Sequence, residues 1–218
     1  MKTENAAITH AEQYFSDVIT IIEKIDKSQI EAMIKILLGI REQKGRLFFL
    51  GVGGSAGNCS HAVNDFRKIA GFEAYAPTDN VSELTARTND EGWETVFAGW
   101  LKGSRLNEKD GVFVFSVGGG DKEKNISANL VYALEYAKKQ KAKILGVVGR
   151  NGGFTAKAAD AYVVVAPVNP ETVTPHTESF QALIWHLIVC DPRIMQISNK
   201  WESTEKQGNL SERGFTRI

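Results

Sequence analysis

Two glycine-rich turns offer backbone that could hold an anion. The first, Gly51-Val52-Gly53-Gly54-Ser55-Ala56, ends the apolar run that starts at Arg46, and the second, Ser116-Val117-Gly118-Gly119-Gly120-Asp121, ends the run that starts at Gly111. Glycines let the backbone approach a ligand closely, and a helix that follows presents free N–H groups and the positive end of its dipole. Ser55 adds a hydroxyl donor to the first turn. One such turn is as readily a tight connection. Two of them, each directly after a strand and ahead of a helix, point to an anion or sugar-phosphate site. The spacing argues against a dinucleotide, since neither turn spells out G-x-G-x-x-G, and neither has the Lys-Ser/Thr ending of a nucleotide-phosphate loop. Beyond the first turn, His61 and Asp65 lie four residues apart on one face of a predicted helix. Both side chains can therefore reach one point, as the two histidines of an H-E-x-x-H helix do. Taken alone, the pair is weak, since a helical His with a nearby Asp is more often an ordinary surface or capping pair. His186, among Leu183, Ile184, Trp185 and Leu187, reads on its own as a core histidine.

These residues need elements to position them. Short apolar runs bounded by glycine or polar residues predict buried strands at Arg46 to Val52, Gly111 to Ser116, Ala142 to Val148 and Ala161 to Ala166, with a weaker one at Phe72 to Ala76. Helical spacing predicts two N-terminal amphipathic helices over Ala11 to Leu38, broken near Asp26 to Ser28. Further helices are predicted at Ala56 to Ala70, Asn80 to Leu101, Lys124 to Lys139 and Gly153 to Ala159. A last helix is expected over Thr174 to Ile197, with Thr174 as N-cap and Pro175 in the first helical position. Strands alternating with helices imply right-handed crossovers, hence an α/β fold: a three-layer αβα sandwich around a parallel sheet. In such sheets ligands bind beyond the carboxyl ends of the strands, where both glycine turns fall.

Bulk composition narrows the class. The 218 residues suit one domain over residues 1–199, with 200–218 read as a polar tail or an oligomer arm. Lys and Arg balance Asp and Glu at 26 each, so the basic footprint of a nucleic-acid or anionic-membrane binder is missing. Cys59 and Cys190 are too few and too far apart for a disulfide framework or a thiolate zinc site, and read as reduced, buried thiols. The N-terminus lacks the apolar core of a signal peptide, and no stretch approaches the roughly 20 apolar residues of a membrane span. A soluble cytoplasmic protein is expected.

The constellation Gly53-Gly54-Ser55 followed by His61 and Asp65 resembles the sugar isomerase (SIS) domain family, specifically its phosphoheptose isomerases, over roughly residues 5 to 190. The resemblance implies a flavodoxin-like, five-stranded parallel sheet behind N-terminal helices. It further implies a zinc ion, one per subunit, held by His61, Asp65, Glu178 and His186, with Glu178 standing where the family carries Gln. Eight residues of helix rise about 12 Å, so Glu178 can share an ion with His186 only from an irregular first turn. The family's acid and base fall on Asp65, an Asp where the family has Glu, and His186. Substrate contacts fall on Gly53, Gly54, Ser55, Ser116, Gly118, Gly119, Gly120, Asp121 and Glu178, and on Asn89 and Asp90, which match an Asn-Asp segment that binds sugar hydroxyls; helix capping by Asp90 is the competing explanation. The second turn departs from the family's Ser-Thr-Ser-Gly-Asn-Ser, which would leave phosphate to backbone N–H groups and to Lys122 or Lys124. Pro175 replaces a family Asp, with His176 beside it as a substitute contact. The implied activity is aldose-ketose isomerisation of sedoheptulose 7-phosphate to D-glycero-D-manno-heptose 7-phosphate for heptose synthesis, by a homotetramer with sites between subunits. Two alternatives stand beside it: a non-catalytic sugar-phosphate- or protein-binding member, like the replication-initiator-binding relatives, and an isomerase of another phosphosugar.

Overall fold

Five parallel strands in the order β2-β1-β3-β4-β5 form the centre of the computed structural model, which describes residues 8–198. The strands are β1 (Leu47–Leu50), β2 (Ala74–Tyr75), β3 (Gly111–Ser116), β4 (Lys143–Val148) and β5 (Ala161–Val164). The helices are α1 (His10–Lys24), α2 (Lys27–Glu42), α3 (Gly54–Lys68), α4 (Val81–Glu91), α5 (Val96–Gly103), α6 (Ala128–Lys139), α7 (Gly153–Ala158) and α8 (Val173–Val189), with a 3-10 turn at Pro77–Asp79.

Period-two alternation sends successive strand residues to opposite faces, and both faces are covered. Leu47, Phe49, Phe113, Phe115, Leu145 and Val147 pack under α1, α2, α3 and α8. Phe48, Leu50, Val112, Val114 and Ile144 pack under α5 and α6, with Ala158 of α7. That double burial is why these strands are continuous apolar runs. At the opposite end from the glycine turns, Asp110 fastens the starts of β1 and β3. Its carboxylate accepts from the backbone N–H of Arg46 (2.9 Å), the Arg46 guanidinium (3.2 and 2.8 Å) and the backbone and side chain of Asn107.

The N-terminal pair breaks where expected, because the Asp26 side chain accepts from Ser28 N–H and caps α2. Thr9 and Glu12 form a capping box on α1. Three expected helices are corrected. The single helix over Asn80 to Leu101 is two, since Gly92 takes φ 88° and ends α4. The helix expected from Lys124 starts at Ala128, because residues 121–126 close a turn through a bridge between Asp121 and Ile126. The last helix begins at Val173, with Thr172 rather than Thr174 before its first turn and Pro175 at its third position, where a helix still lacks an intrahelical partner for the N–H. It stops at Val189 rather than Ile197, ahead of Asp191-Pro192. The thiols divide: Cys59 is buried, and Cys190 is exposed at the end of α8 rather than buried. Burial pushes the Cys59 thiol up, which keeps it protonated. The polar segment 200–218 lies outside the described residues. Among the described residues no helix is long and apolar enough to cross a membrane.

Candidate metal and sugar site

The site begins at the turn between β1 and α3. Gly53 has φ 64°, a left-handed conformation suited to glycine, and a side chain at Gly51 would run into the Ser55 carbonyl. This tight turn launches α3 directly from the carboxyl end of β1. Because the sheet order reverses between β1 and β3, the turn stands at the topological switch point, where open α/β sheets bind ligands.

Helix α3 packs against α8 in a register set by side-chain amides. Asn58 donates to the Glu178 carbonyl at 2.9 Å and to Gln181 Oε1 at 2.8 Å, and Gln181 Nε2 donates to Ser55 Oγ at 3.0 Å. Ser55 and Gln181 are buried, so this chain is interior packing as well as a brace for the turn. One layer further along, Trp185 stacks on Phe115 of β3 at 5.6 Å between ring centroids. Its indole Nε1–H donates to Asp65 Oδ2 at 3.1 Å. Asn64 donates to the other oxygen, Oδ1, at 3.0 Å.

Around that anchored carboxylate the two histidines converge. His186 Nε2 is 3.3 Å and His61 Nε2 is 3.6 Å from Asp65 Oδ2. One ligand atom from each of the three residues lies within 4.8 Å of the other two. Asp65 is 6 % exposed, whereas the His61 and His186 side chains are 56 % and 47 % exposed, so the group opens outward from a buried acid. The spacing fits a metal. Nitrogen and oxygen donors about 2.1 Å from one tetrahedral ion lie about 3.4 Å apart, and a set of two His and one carboxylate leaves a fourth position open, as catalytic zinc sites do. The Trp185 hydrogen bond is the kind of outer contact that orients a liganding carboxylate.

Other expected residues sit elsewhere. Glu178 is not in this group; its carboxylate lies against Gly54, where an added Cβ would come within 2.6 Å of the carboxyl carbon. The reason is the helix rise, which separates it from His186 along α8. Asn89 and Asp90 are exposed on the last turn of α4, bonded to each other at 2.7 Å and with no hydrogen bond or ion pair to the α3–α8 group. Asp90 caps neither neighbouring helix, since Asn80 caps α4 and Thr95 precedes α5. His176, expected as a substrate contact, is buried instead. Its ring packs tilted against Tyr14 of α1 at 4.2 Å between centroids and lies 3.7 Å from Asp17 Oδ2. Asn169 and Gln13 donate to the Asp17 carboxylate and hold it below the usual carboxylate range.

The second glycine turn is largely satisfied from within. Ser116 Oγ accepts from Gly119 N–H at 3.0 Å. The Gly119 carbonyl accepts from the backbone and hydroxyl of Thr155, and the Gly120 carbonyl from Phe154 N–H, so the turn is tied to the start of α7. Gly119, at φ 71°, lies so close to Gly152 that a side chain would collide with the Gly152 carbonyl. Gly118 is half-buried and has no neighbour in the way of a side chain. Asp121 accepts from Glu123 and Lys124 N–H, while Lys122 pairs with Glu135 and Lys124 lies 3.9 Å from Asp121. Sequence reasoning missed the supporting residues Asn58, Asn64, Gln181 and Trp185. Their partners on the other helix lie 120 or more positions away, which no local pattern signals; only Asn64, next to Asp65, was within reach of it.

A doubly wound α/β sheet with a glycine turn at its switch point and a histidine–carboxylate group beside it defines a sugar-isomerase-like architecture. Comparison makes the family explicit: the chain belongs to the SIS domain family, whose model matches residues 13–149. It is 31% identical over 169 residues to the phosphoheptose isomerase of Sulfurimonas denitrificans, covering 75% of this chain and 80% of that one. It is 28% identical over 200 residues to the lincomycin biosynthesis protein LmbN of Streptomyces lincolnensis, covering 84% and 71% of the two chains. The fold matches the phosphoheptose isomerase of Neisseria gonorrhoeae with a TM-score of 0.70 at 24% identity, over 82% of this chain and 94% of the other.

Proposed function

We propose that this protein is a metal-assisted ketol-isomerase of a phosphorylated sugar, with sedoheptulose 7-phosphate as the first substrate to test. The observation that carries the reading is the convergence of His61, Asp65 and His186 beside the switch-point turn. The relatives named phosphoheptose isomerase support the substrate class. His61, Asp65 and His186 would hold a divalent ion such as Zn²⁺, which when bound polarises a substrate carbonyl and stabilises charge on its oxygen. The turn at Gly53, Gly54 and Ser55, with the start of α3, presents backbone N–H groups to an anionic or hydroxylated ligand. The half-exposure of His186 supports a role for it in exchanging protons with substrate oxygens through the ring nitrogen that does not hold the ion. Exposed Phe15, Ile19 and Ile22 on α1 and Leu183 and Leu187 on α8 suit a homotetramer packed on these helices, with the open side of the site facing a neighbour in the cytoplasm.

One observation favours a related substrate. The Ser116–Asp121 turn spends the N–H groups of Gly119 and Asp121 internally and carries an acid, so it offers less to a phosphate dianion than a hydroxyl-rich loop would. A sugar phosphate of different length or stereochemistry is therefore included in the test. The experiment is conversion of a panel of ketose phosphates, with and without a chelator, beside His186→Ala. Turnover that disappears in both treatments is the expected result. Full turnover by metal-stripped protein, or none on any sugar phosphate, rejects the reading.

A further inference from the structure

Beside β2, the outermost strand, lies a cavity of about 300 Å³ whose lining shares no residue with the α3–α8 group. β2 pairs on one side only, and among the described residues the core under α5 and α6 contains none from this strand. Tyr75 is therefore left 37 % exposed, whereas Phe48 and Trp100 beside it are buried. The three rings form an aromatic floor: Phe48 stacks on Tyr75 at 6.2 Å between centroids and meets Trp100 edge-on at 5.5 Å. Two guanidiniums lie over these rings, Arg46 at 5.0 Å from the centre of Phe48 and Arg67 at 5.4 Å from that of Tyr75. The exposed acids Glu73 and Asp79 complete the lining. Rings, cations and carboxylates at one opening match the chemistry of an indole, which takes an apolar bed, accepts a cation on its face and has one N–H to place.

The chain that leaves α8 is pinned at the entry to this same strand. The Arg41 guanidinium donates to the carbonyls of Arg193, Ile194 and Ala70. The backbone N–H groups of Gln196 and Ile197 both donate to the Ile69 carbonyl, and the Gln196 side chain lies against Gly71, where an added Cβ would come within 2.9 Å of its Oε1. Gly71 precedes Glu73 by two residues, so about 7 Å of backbone at most separates this anchor from the wall of the cavity. Trp201 follows Ile197 by four residues, as Glu73 follows Ile69 by four. Four residues of extended chain span up to about 13 Å, enough to bring Trp201 level with Glu73 on a path beside residues 69–73.

We propose that this cavity is the docking site of Trp201, so that the segment following Ile197 lies across β2. The indole packs on Tyr75 and its Nε1–H donates to Glu73 or Asp79, the two acids at the opening. Lys200 and Glu202 flank Trp201 with one charge of each sign, complementing the acids on one side and Arg46 and Arg67 on the other. An indole from a second copy competes only at the concentration of the protein, whereas this one is tethered beside the strand at an effective concentration of about millimolar. Docking also covers the unpaired side of β2, which otherwise is a template for another chain. The proposal is independent of the isomerase reading.

The test uses the full chain labelled with 5-fluorotryptophan, in which the 4 tryptophans give separate fluorine signals and the one missing from Trp201→Phe belongs to Trp201. The expected Trp201 signal is shifted from that of the free amino acid and is broadened by a soluble gadolinium chelate no more than that of buried Trp100. In Tyr75→Ser it moves to the free position and becomes fully accessible to the chelate. A second measurement decides the matter if Tyr75→Ser does not fold: Glu73→Cys and Glu202→Cys are combined in a Cys190→Ser background, which removes the exposed thiol and leaves Cys59 buried. Mild oxidation is expected to close a disulfide within one chain. A Trp201 signal at the free position in wild type overturns the proposal, as does a protected signal that Tyr75→Ser leaves in place. A disulfide formed only between two chains overturns it in favour of a second copy as the occupant.

Discussion

Replacing Trp185 with Phe isolates one hydrogen bond at the centre of the site. The phenyl ring retains the stacking on Phe115 but loses the Nε1–H that holds Asp65 Oδ2 at 3.1 Å. A buried hydrogen bond to a charged acceptor contributes about 1.5–3 kcal/mol. Outer contacts of liganding carboxylates change metal affinity about 10–100-fold, or about 1.4–2.7 kcal/mol, so the two independent scales agree. The smaller ring also leaves unfilled space, which lowers the stability of the metal-free protein by about 1–2 kcal/mol. The two effects separate experimentally. Zinc affinity is measured by competition with a chelator of known strength, and thermal unfolding is followed with and without zinc. The expected outcome is a Kd weakened by at least tenfold together with a smaller zinc-induced rise in Tm than in wild type. A folded variant whose zinc affinity stays within twofold of wild type would refute the view that Trp185 orients the ligand.

Two further outcomes concern stability. Asp110→Ala removes the counter-charge of Arg46, whose guanidinium keeps only the Ser104 and Arg105 carbonyls, and strands N–H donors of Arg46 and Asn107; it should cost about 3 kcal/mol in urea unfolding, the lower end for a broken buried pair because Arg46 is 24 % exposed; a loss under 1 kcal/mol contradicts the clamp. Asp17 is held below the ordinary carboxylate range first by the Asn169 amide and then by Gln13. Its contribution is therefore fully present above an unfolded value of about 3.9 and is lost as pH falls through the lower folded value. The urea midpoint of wild type should drop more steeply below about pH 4 than that of Asp17→Asn, and parallel curves would remove Asp17 from the account.

How legible the molecule was depended on the range of the interaction. The strand Gly111–Ser116 was readable to the residue, because burial on both faces demands an unbroken apolar run. β2, only two residues long, left a faint trace. Gly92 lies inside a helical pattern, and only the backbone turn it makes shows that α4 and α5 are separate. His61 and Asp65 were legible as a pair because i, i+4 spacing is local. His186 entered through the family resemblance, since its own neighbours read as core. Glu178 was expected with the ligands and stands apart from them, because a position on the right helix does not fix reach. His176 looked like a substrate contact because Pro175 is beside it, and only the packing of α1 shows that it is interior.

The bond between Trp185 and Asp65 joins positions 120 residues apart, and the bond between Gln181 and Ser55 joins positions 126 apart. During synthesis at about 5–20 residues per second, the ribosome therefore delivers His61 some seconds to tens of seconds before His186. Throughout that interval α3 carries two of the three candidate ligands, His61 and Asp65, with neither Trp185 to seat Asp65 nor α8 to cover its apolar side. In the metal-assisted reading proposed above, an ion captured then would have at most two protein ligands. Metal acquisition would thus be a closing event in the life of the nascent chain, one that stabilises only molecules in which α3 and α8 have met.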